Sequence, residues 1–151
     1  MAILKIVKHP DPFLLKTSKP VTEFDERLHT LLDDMLETMQ ALGNAMGLAA
    51  VQVGRLVRAF IVLSVKDEPT EFINPRIISA SKKKNGKEAC VSIRNCPQIE
   101  VERFQRITVA FQDRHGVAHE REFRGMEAVC IQHEFDHLDG KLIGVNVGEN
   151  L

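Results

Sequence analysis

The sequence predicts an α+β protein: short antiparallel β-sheets packed around a central helix that bears an HExxH pattern, with one amphipathic helix nearer the N-terminus. Three observations carry this. Leu28, Leu31, Leu32, Met35, Leu36, Met39 and Leu42 recur at intervals of three and four, the apolar stripe of a surface helix. Runs of β-branched and aromatic residues, broken by turn-forming segments, read as strands. A second helical stretch, from about 126 to 137, is apolar on much of its circumference, as buried helices are.

Each element follows from local chemistry. Pro10, Pro12 and Pro20 make the opening an extended arm and not a helix. Thr22 or Asp25 can cap the first helix, and Gly43 can end it. AMGLAAVQVG, Ala45 to Gly54, is rich in small residues, so backbone there can approach another group closely. RAFIVLSV and FINPRIISA are strand-like. Lys82 to Lys87 (KKKNGK) reads as a solvated hairpin turn around Asn85-Gly86. EACVSI, QIEVERF and RITVAFQD add strands, DRHG makes a turn, and VAHEREFRG returns. The second helix stops near Gly140, and LIGVNV is a last short strand.

Composition bounds the rest. The 151 residues suit a single domain, since one core spans roughly 100 to 200 residues. At 44% hydrophobic and 27% charged, the chain has the make-up of an ordinary water-soluble fold. A net charge of −1 gives no general attraction to nucleic acid or an anionic membrane. Three cysteines are too few and too odd in number for a disulfide framework, which points to a reducing, cytoplasm-like compartment. No signal peptide or membrane span is visible in the sequence.

The chemistry concentrates in HEFDH, His133 to His137. Histidines at i and i+4 share one helix face and can share a metal ion, while Glu134 can reach a water that the metal acidifies. The bland alternative is a pair of solvated surface histidines. Apolar Ala128, Val129, Ile131 and Leu138 argue against it, because a buried helix must find partners for its charges. A third ligand is required. The HExxHxxGxxH pattern fails at Ile143, and only 14 residues follow His137, too few for a downstream glutamate helix. The ligand must lie upstream, among Cys90, Cys96, His9, His29, His115 and His119. His29, His115 and His119 read as surface residues, and Cys130 as a buried apolar one. Spacing alone leaves Cys90 and Cys96 open.

AMGLAAVQ (Ala45 to Gln52), EACVS (Glu88 to Ser92) and QHEFDHL (Gln132 to Leu138) occur in the order of the peptide deformylase motifs GxGLAAxQ, EGCLS and QHExDHL. With its opening KIVKHPDPFLLKTSKPV, the chain resembles that family over nearly its whole length. The resemblance implies a hydrolase that removes the formyl group from the N-terminal methionine of new peptides and releases formate. It implies one divalent ion, Fe²⁺ with Zn²⁺, Ni²⁺ or Co²⁺ able to substitute, on Cys90, His133 and His137. Glu134 would move the proton, and the Gln52 amide and the Val91 N–H would hold the oxyanion. Gly47 and Leu48 would lie along the substrate, and Val129 with Ile93 would border its methionine.

Four positions depart from the motifs: Ala45, Val51, Ala89 and Val91. Ala45 and Ala89 replace glycines, so each would be strained if its φ were positive, and an added methyl at either could narrow the substrate groove. An alternative function follows, a relative that acts on, or only binds, another N-acylated peptide. A general metallopeptidase lacks its downstream ligand, and a structural metal site has no use for Glu134. The chain ends at Leu151 without the C-terminal helix that helps many bacterial members dock on the ribosome, so ribosome engagement is left open. KKKNGK is a weak substitute candidate and reads first as a solvated hairpin tip. The partners implied are N-formylmethionyl peptides, with no membrane and no sequence-specific nucleic acid. The location implied is the cytoplasm, or an organelle matrix in a eukaryote.

Overall fold

A computed structural model describes residues 2–144. Helix α1, Glu26–Leu42, starts where the Asp25 carboxylate accepts the Leu28 N–H at 3.1 Å. It ends where Gly43 turns left-handed at φ 78° and donates to the Met39 carbonyl. Both ends are thus the ones the side-chain chemistry predicts. The arm before it is extended apart from a 3-10 turn at Pro12–Leu15.

Five strands follow: β1 (Gly47–Ala49), β2 (Ala59–Leu63), β3 (Pro69–Glu88), β4 (Ile99–Gln112) and β5 (Ala118–Arg124). They form one antiparallel sheet in chain order, and α2 (Gly125–Leu138) closes the fold. The α+β class is therefore as expected, with the strands gathered into one sheet of which β3 and β4 are long.

Three local expectations are corrected. KKKNGK is no hairpin: β3 runs straight through it, pairing Asn85 with Glu102 and Gly86 with Val101. A full partner strand supplies hydrogen bonds that an Asn-Gly turn would have to forgo, so tertiary pairing overrides the turn signal. QIEVERF and RITVAFQD are the two halves of β4. EACVSI is not a strand beyond Glu88; the chain leaves the sheet there, and the Ile93 N–H turns back to the Cys90 carbonyl at 3.1 Å. Of LIGVNV, Leu142 and Ile143 are buried, and residues 145–147 lie outside those described.

The apolar run in β2 has a structural reason. Ala59 and Ile61 pack with α1, Phe60 and Val62 with α2, so both faces of this strand are covered. Below α2, Phe72 meets Phe60, Phe111 and Phe123 with ring centroids 4.9, 4.6 and 5.5 Å away. A third, smaller cluster joins Leu14, Cys90, Leu142 and Ile143. It pins the loop after β3 against the N-terminal arm.

Phe72→Ala empties the centre of this cluster and is expected to cost about 3–5 kcal/mol in urea unfolding. Ile78→Ala, on an exposed part of β3, is expected to stay within about 0.5 kcal/mol.

Candidate metal centre

The loop between β3 and β4 carries Cys90, and α2 carries the two histidines one turn apart, their ring centroids separated by 5.2 Å. Cys90 Sγ lies 3.5 Å from His137 Nε2. One donor atom from each of Cys90, His133 and His137 falls within 4.8 Å of the others, a spacing at which all three can reach one ion.

The competing upstream residues are elsewhere. Cys96 Sγ points to the Pro97 carbonyl, His29 Nε2 meets the Arg114 carbonyl and His119 meets Asp113. His115 stacks edge-on against His29. His9 lies in the arm. Cys130 sits three residues before His133, and burial pushes its thiol up to about 12, so it stays a neutral thiol. Spacing left Cys90 and Cys96 open; the fold places Cys90 beside the histidines, in agreement with the motif resemblance.

A charged network holds the histidines. His133 Nδ1 is 2.9 Å from Glu88 Oε1, which leaves Nε2 as the nitrogen for the thiol side. Arg103 grips Glu88 with two nitrogens, at 2.9 and 3.0 Å, and reaches Asp136 with a third at 2.7 Å. Burial raises the Glu88 carboxyl, but the hydrogen bonds from His133 and Arg103 outweigh it and hold it at about 2. Burial works against charge on His133 as well, yet Cys90 and Glu88 raise it to about 10. A cation shared with Cys90 and His137 would take the place of the proton on Nε2. The carboxylate-to-histidine bond is the outer support such a ligand usually has. Burial instead pushes His137 down to about 3, keeping it neutral and able to donate a lone pair.

Above these residues lies a cleft of about 220 Å³. Glu134, buried, lines it, and its Oε1 has no hydrogen-bond partner among the described residues. Burial pushes this carboxyl up to about 7. Gly47 faces it so closely that a Cβ there would stand 2.8 Å from Glu134 Oε2. The small-residue segment is therefore a close approach, as its composition predicts. Gln52 is buried and oriented: Oε1 accepts the Ala49 N–H at 2.9 Å, while Nε2 donates to Ser92 Oγ at 3.1 Å and points at Cys90 Sγ at 3.7 Å.

Ala45, Val91 and Val129 also line the cleft. Leu48 and Ile93 do not: the Leu48 side chain is buried in the core with α1, and Ile93 packs in the cluster around Leu14. Alternation explains Leu48, since neighbours in a strand face opposite ways. Neither Ala45 nor Ala89 has a positive φ, so the anticipated backbone strain is absent.

Residues that sequence reading assigned no role complete the site. Met126 and Cys130 line the cleft beside Val129. Glu88 and Asp136 were visible inside their motifs. Arg103 carries no local signal at all, because β4 alone delivers it.

A thiol and two imidazoles converging beside a buried glutamate, on an α+β frame, define a metal-dependent hydrolase. The model of the polypeptide deformylase family matches residues 3–148. A peptide deformylase of Wolinella succinogenes is 44% identical over 150 residues, covering 93% of this chain and 85% of that protein. The crystal structure of a peptide deformylase from Thermotoga maritima aligns with a TM-score of 0.88 at 40% identity, covering 93% and 94% of the two chains. A class I type b peptide deformylase from Acinetobacter baumannii aligns at 0.90 with 32% identity, covering 95% and 98%. The chain belongs to the polypeptide deformylase family.

Arg103→Leu strands Glu88 and Asp136 and is expected to cost about 3–5 kcal/mol in urea unfolding. Arg103→Lys recovers part of this, since an ammonium lacks the planar fork. The lowered Glu88 value also sets a pH dependence. Its contribution is complete above the ordinary carboxyl value of 4.5 and is lost as pH falls toward about 2. Glu88→Gln is therefore expected to flatten the acid limb of stability in that window, read as the urea midpoint against pH.

Proposed function

We propose that Cys90, His133 and His137 hold one divalent ion and that the whole chain acts as one catalytic domain that deformylates the N-terminal methionine of new peptides. The observation that supports this most is the meeting of that ligand triad with an unpartnered, buried Glu134 in the wall of a cleft. One thiolate and two imidazoles suit Fe²⁺, with Zn²⁺, Ni²⁺ or Co²⁺ able to replace it, and three protein ligands leave a position open. When bound, the ion supplies Lewis acidity that lowers the pKa of water and polarises a carbonyl.

The chain's own residues do the remainder. The peptide lies extended along Gly47 in β1, adding as a strand at the free edge of the sheet. Its methionine side chain enters the apolar wall formed by Met126, Val129 and Cys130, with His133 beneath. Glu134 accepts a proton on its carboxylate as water attacks the formyl carbon. It then delivers that proton to the departing amine, and formate and a free N-terminus result. A carboxyl poised near 7 suits both directions of transfer. The Gln52 amide and the Val91 N–H stabilise the oxyanion. Val91's N–H has no acceptor among the described residues, and Gln52 is already clamped by Ala49.

The alternative, a relative that only binds or acts on another acylated peptide, rested on strain and on an added methyl at Ala45 and Ala89. Both have ordinary backbone conformations, and the relatives that match over most of the chain are peptide deformylases, so that reading is not favoured. The setting is the compartment where formylmethionyl chains leave the ribosome, the cytoplasm of a bacterium or the matrix of an organelle. No helix of the described residues is long and apolar enough to cross a membrane.

Anaerobically purified, iron-loaded protein is expected to release formate from formyl-Met-Ala-Ser. Glu134→Ala is expected to lower kcat by about 10²–10⁴-fold with metal retained. Cys90→Ser loses bound metal, whereas Cys96→Ser keeps it. Gly47→Ala, with its Cβ against Glu134, reduces turnover while the fold stands. A loaded wild type that releases no formate overturns the proposal.

A further inference from the structure

The N-terminal arm does more than cover the core, because it bonds to backbone carbonyls of both residues assigned above to the oxyanion. The Val7 N–H donates to the Gln52 carbonyl at 2.7 Å, and the His9 N–H to the Ser92 carbonyl at 2.6 Å. Between them, Lys8 Nζ crosses to the Val91 carbonyl at 2.7 Å. We infer that Lys8 is a positioning residue for the reaction, its ammonium holding the Val91 carbonyl so that the Cys90–Ser92 segment presents the Val91 N–H to the substrate oxyanion.

The geometry leaves little else for this contact to do. Past Glu88 the chain has left the sheet, so no neighbouring strand orients its peptide groups. Three carbonyls in succession are tied instead: Cys90 by the Ile93 N–H, Val91 by Lys8 and Ser92 by the His9 N–H. Two of these ties are backbone contacts that any residue can make. Lys8 provides the one that depends on a side chain. Ordering a lysine carries a large entropic cost, and a long cation is normally left in water. Here it is half-buried and spent on an uncharged acceptor, in a charge-assisted bond stronger than a neutral one. Oxyanion stabilisation depends on donors fixed before the charge develops, so a loosened Val91 should weaken the transition state more than substrate binding.

The inference rests on Val91 being an oxyanion donor, and the test separates the two. In zinc-loaded Glu134→Ala protein, formyl-Met-Ala-Ser is expected to shift the Val91 amide resonance; an unmoved resonance overturns the donor role, and this inference with it. In the iron-loaded protein, Lys8→Met is expected to lower kcat about tenfold while KM stays within about twofold. Metal content is expected to remain that of the wild type, and Lys8→Arg, which keeps a cationic donor of similar reach, to restore most of the rate. If Lys8→Met does not fold, Lys8→Gln serves, its amide being too short to reach the Val91 carbonyl. A kcat within twofold of wild type overturns Lys8's role alone. So does a loss of rate matched by an equal loss of metal, which would make Lys8 a support for the Cys90 ligand only.

Discussion

Glu88 is the point on which the site turns. It is the last residue of β3 and the acceptor for both His133 and Arg103, so one carboxylate ties the sheet to the helix that carries both histidines. Arg103 extends the link to Asp136, one residue before His137. Buried charge is tolerable only when its partners are complete, and here a guanidinium, two carboxylates and an imidazole satisfy one another. The consequence is positional. With Glu88 anchored, the chain must leave the sheet at Ala89, and Cys90, two residues on, arrives opposite the histidines. Gln132 reinforces the same docking by pairing with both backbone groups of Phe104, at 2.9 and 2.7 Å.

A second constraint acts on the opposite wall. β1 must pass Glu134 with no side chain in between, and Gly47 is the only residue type that leaves the room. The covered faces of β2 then hold β1 rigidly in register, Gly47 against Val62 and Ala49 against Phe60. The Glu134 carboxylate is therefore confined between a helix it belongs to and a strand it touches. Burial is the main cause that raises its proton affinity to about 7, with the Glu88 and Asp136 carboxylates adding to it and His133 and Arg103 opposing.

The two halves of the site meet across the arm. Gln52 follows β1 in a 3-10 turn, Cys90 follows β3, and residues 7–9 bond to Gln52 and to Val91 and Ser92 just past Cys90. An extended segment rich in proline cannot satisfy its backbone internally. Its donors are free to serve neighbouring loops, which accounts for an arm that looks unstructured by pattern and yet orders the centre.

The sequence by itself determined the helices and the caps of the first, the strand at β2, the HEFDH pair and the family to which three spaced motifs belong. These are properties of neighbours in the chain: apolar spacing, a capping aspartate, two histidines one turn apart. It also made Glu134 and Gly47 stand out within their motifs. Only the tertiary structure put Cys90 beside the histidines, turned the supposed hairpin at Asn85 into continuous strand and kept the Leu48 and Ile93 side chains out of the cleft lining. It alone brought in Arg103 from β4 and Lys8 from the arm. The physical reason is common to all of these. A strand's partner, a loop's exit angle and a buried charge's counterion lie far away in sequence, and their energies exist only once the sheet has brought them together.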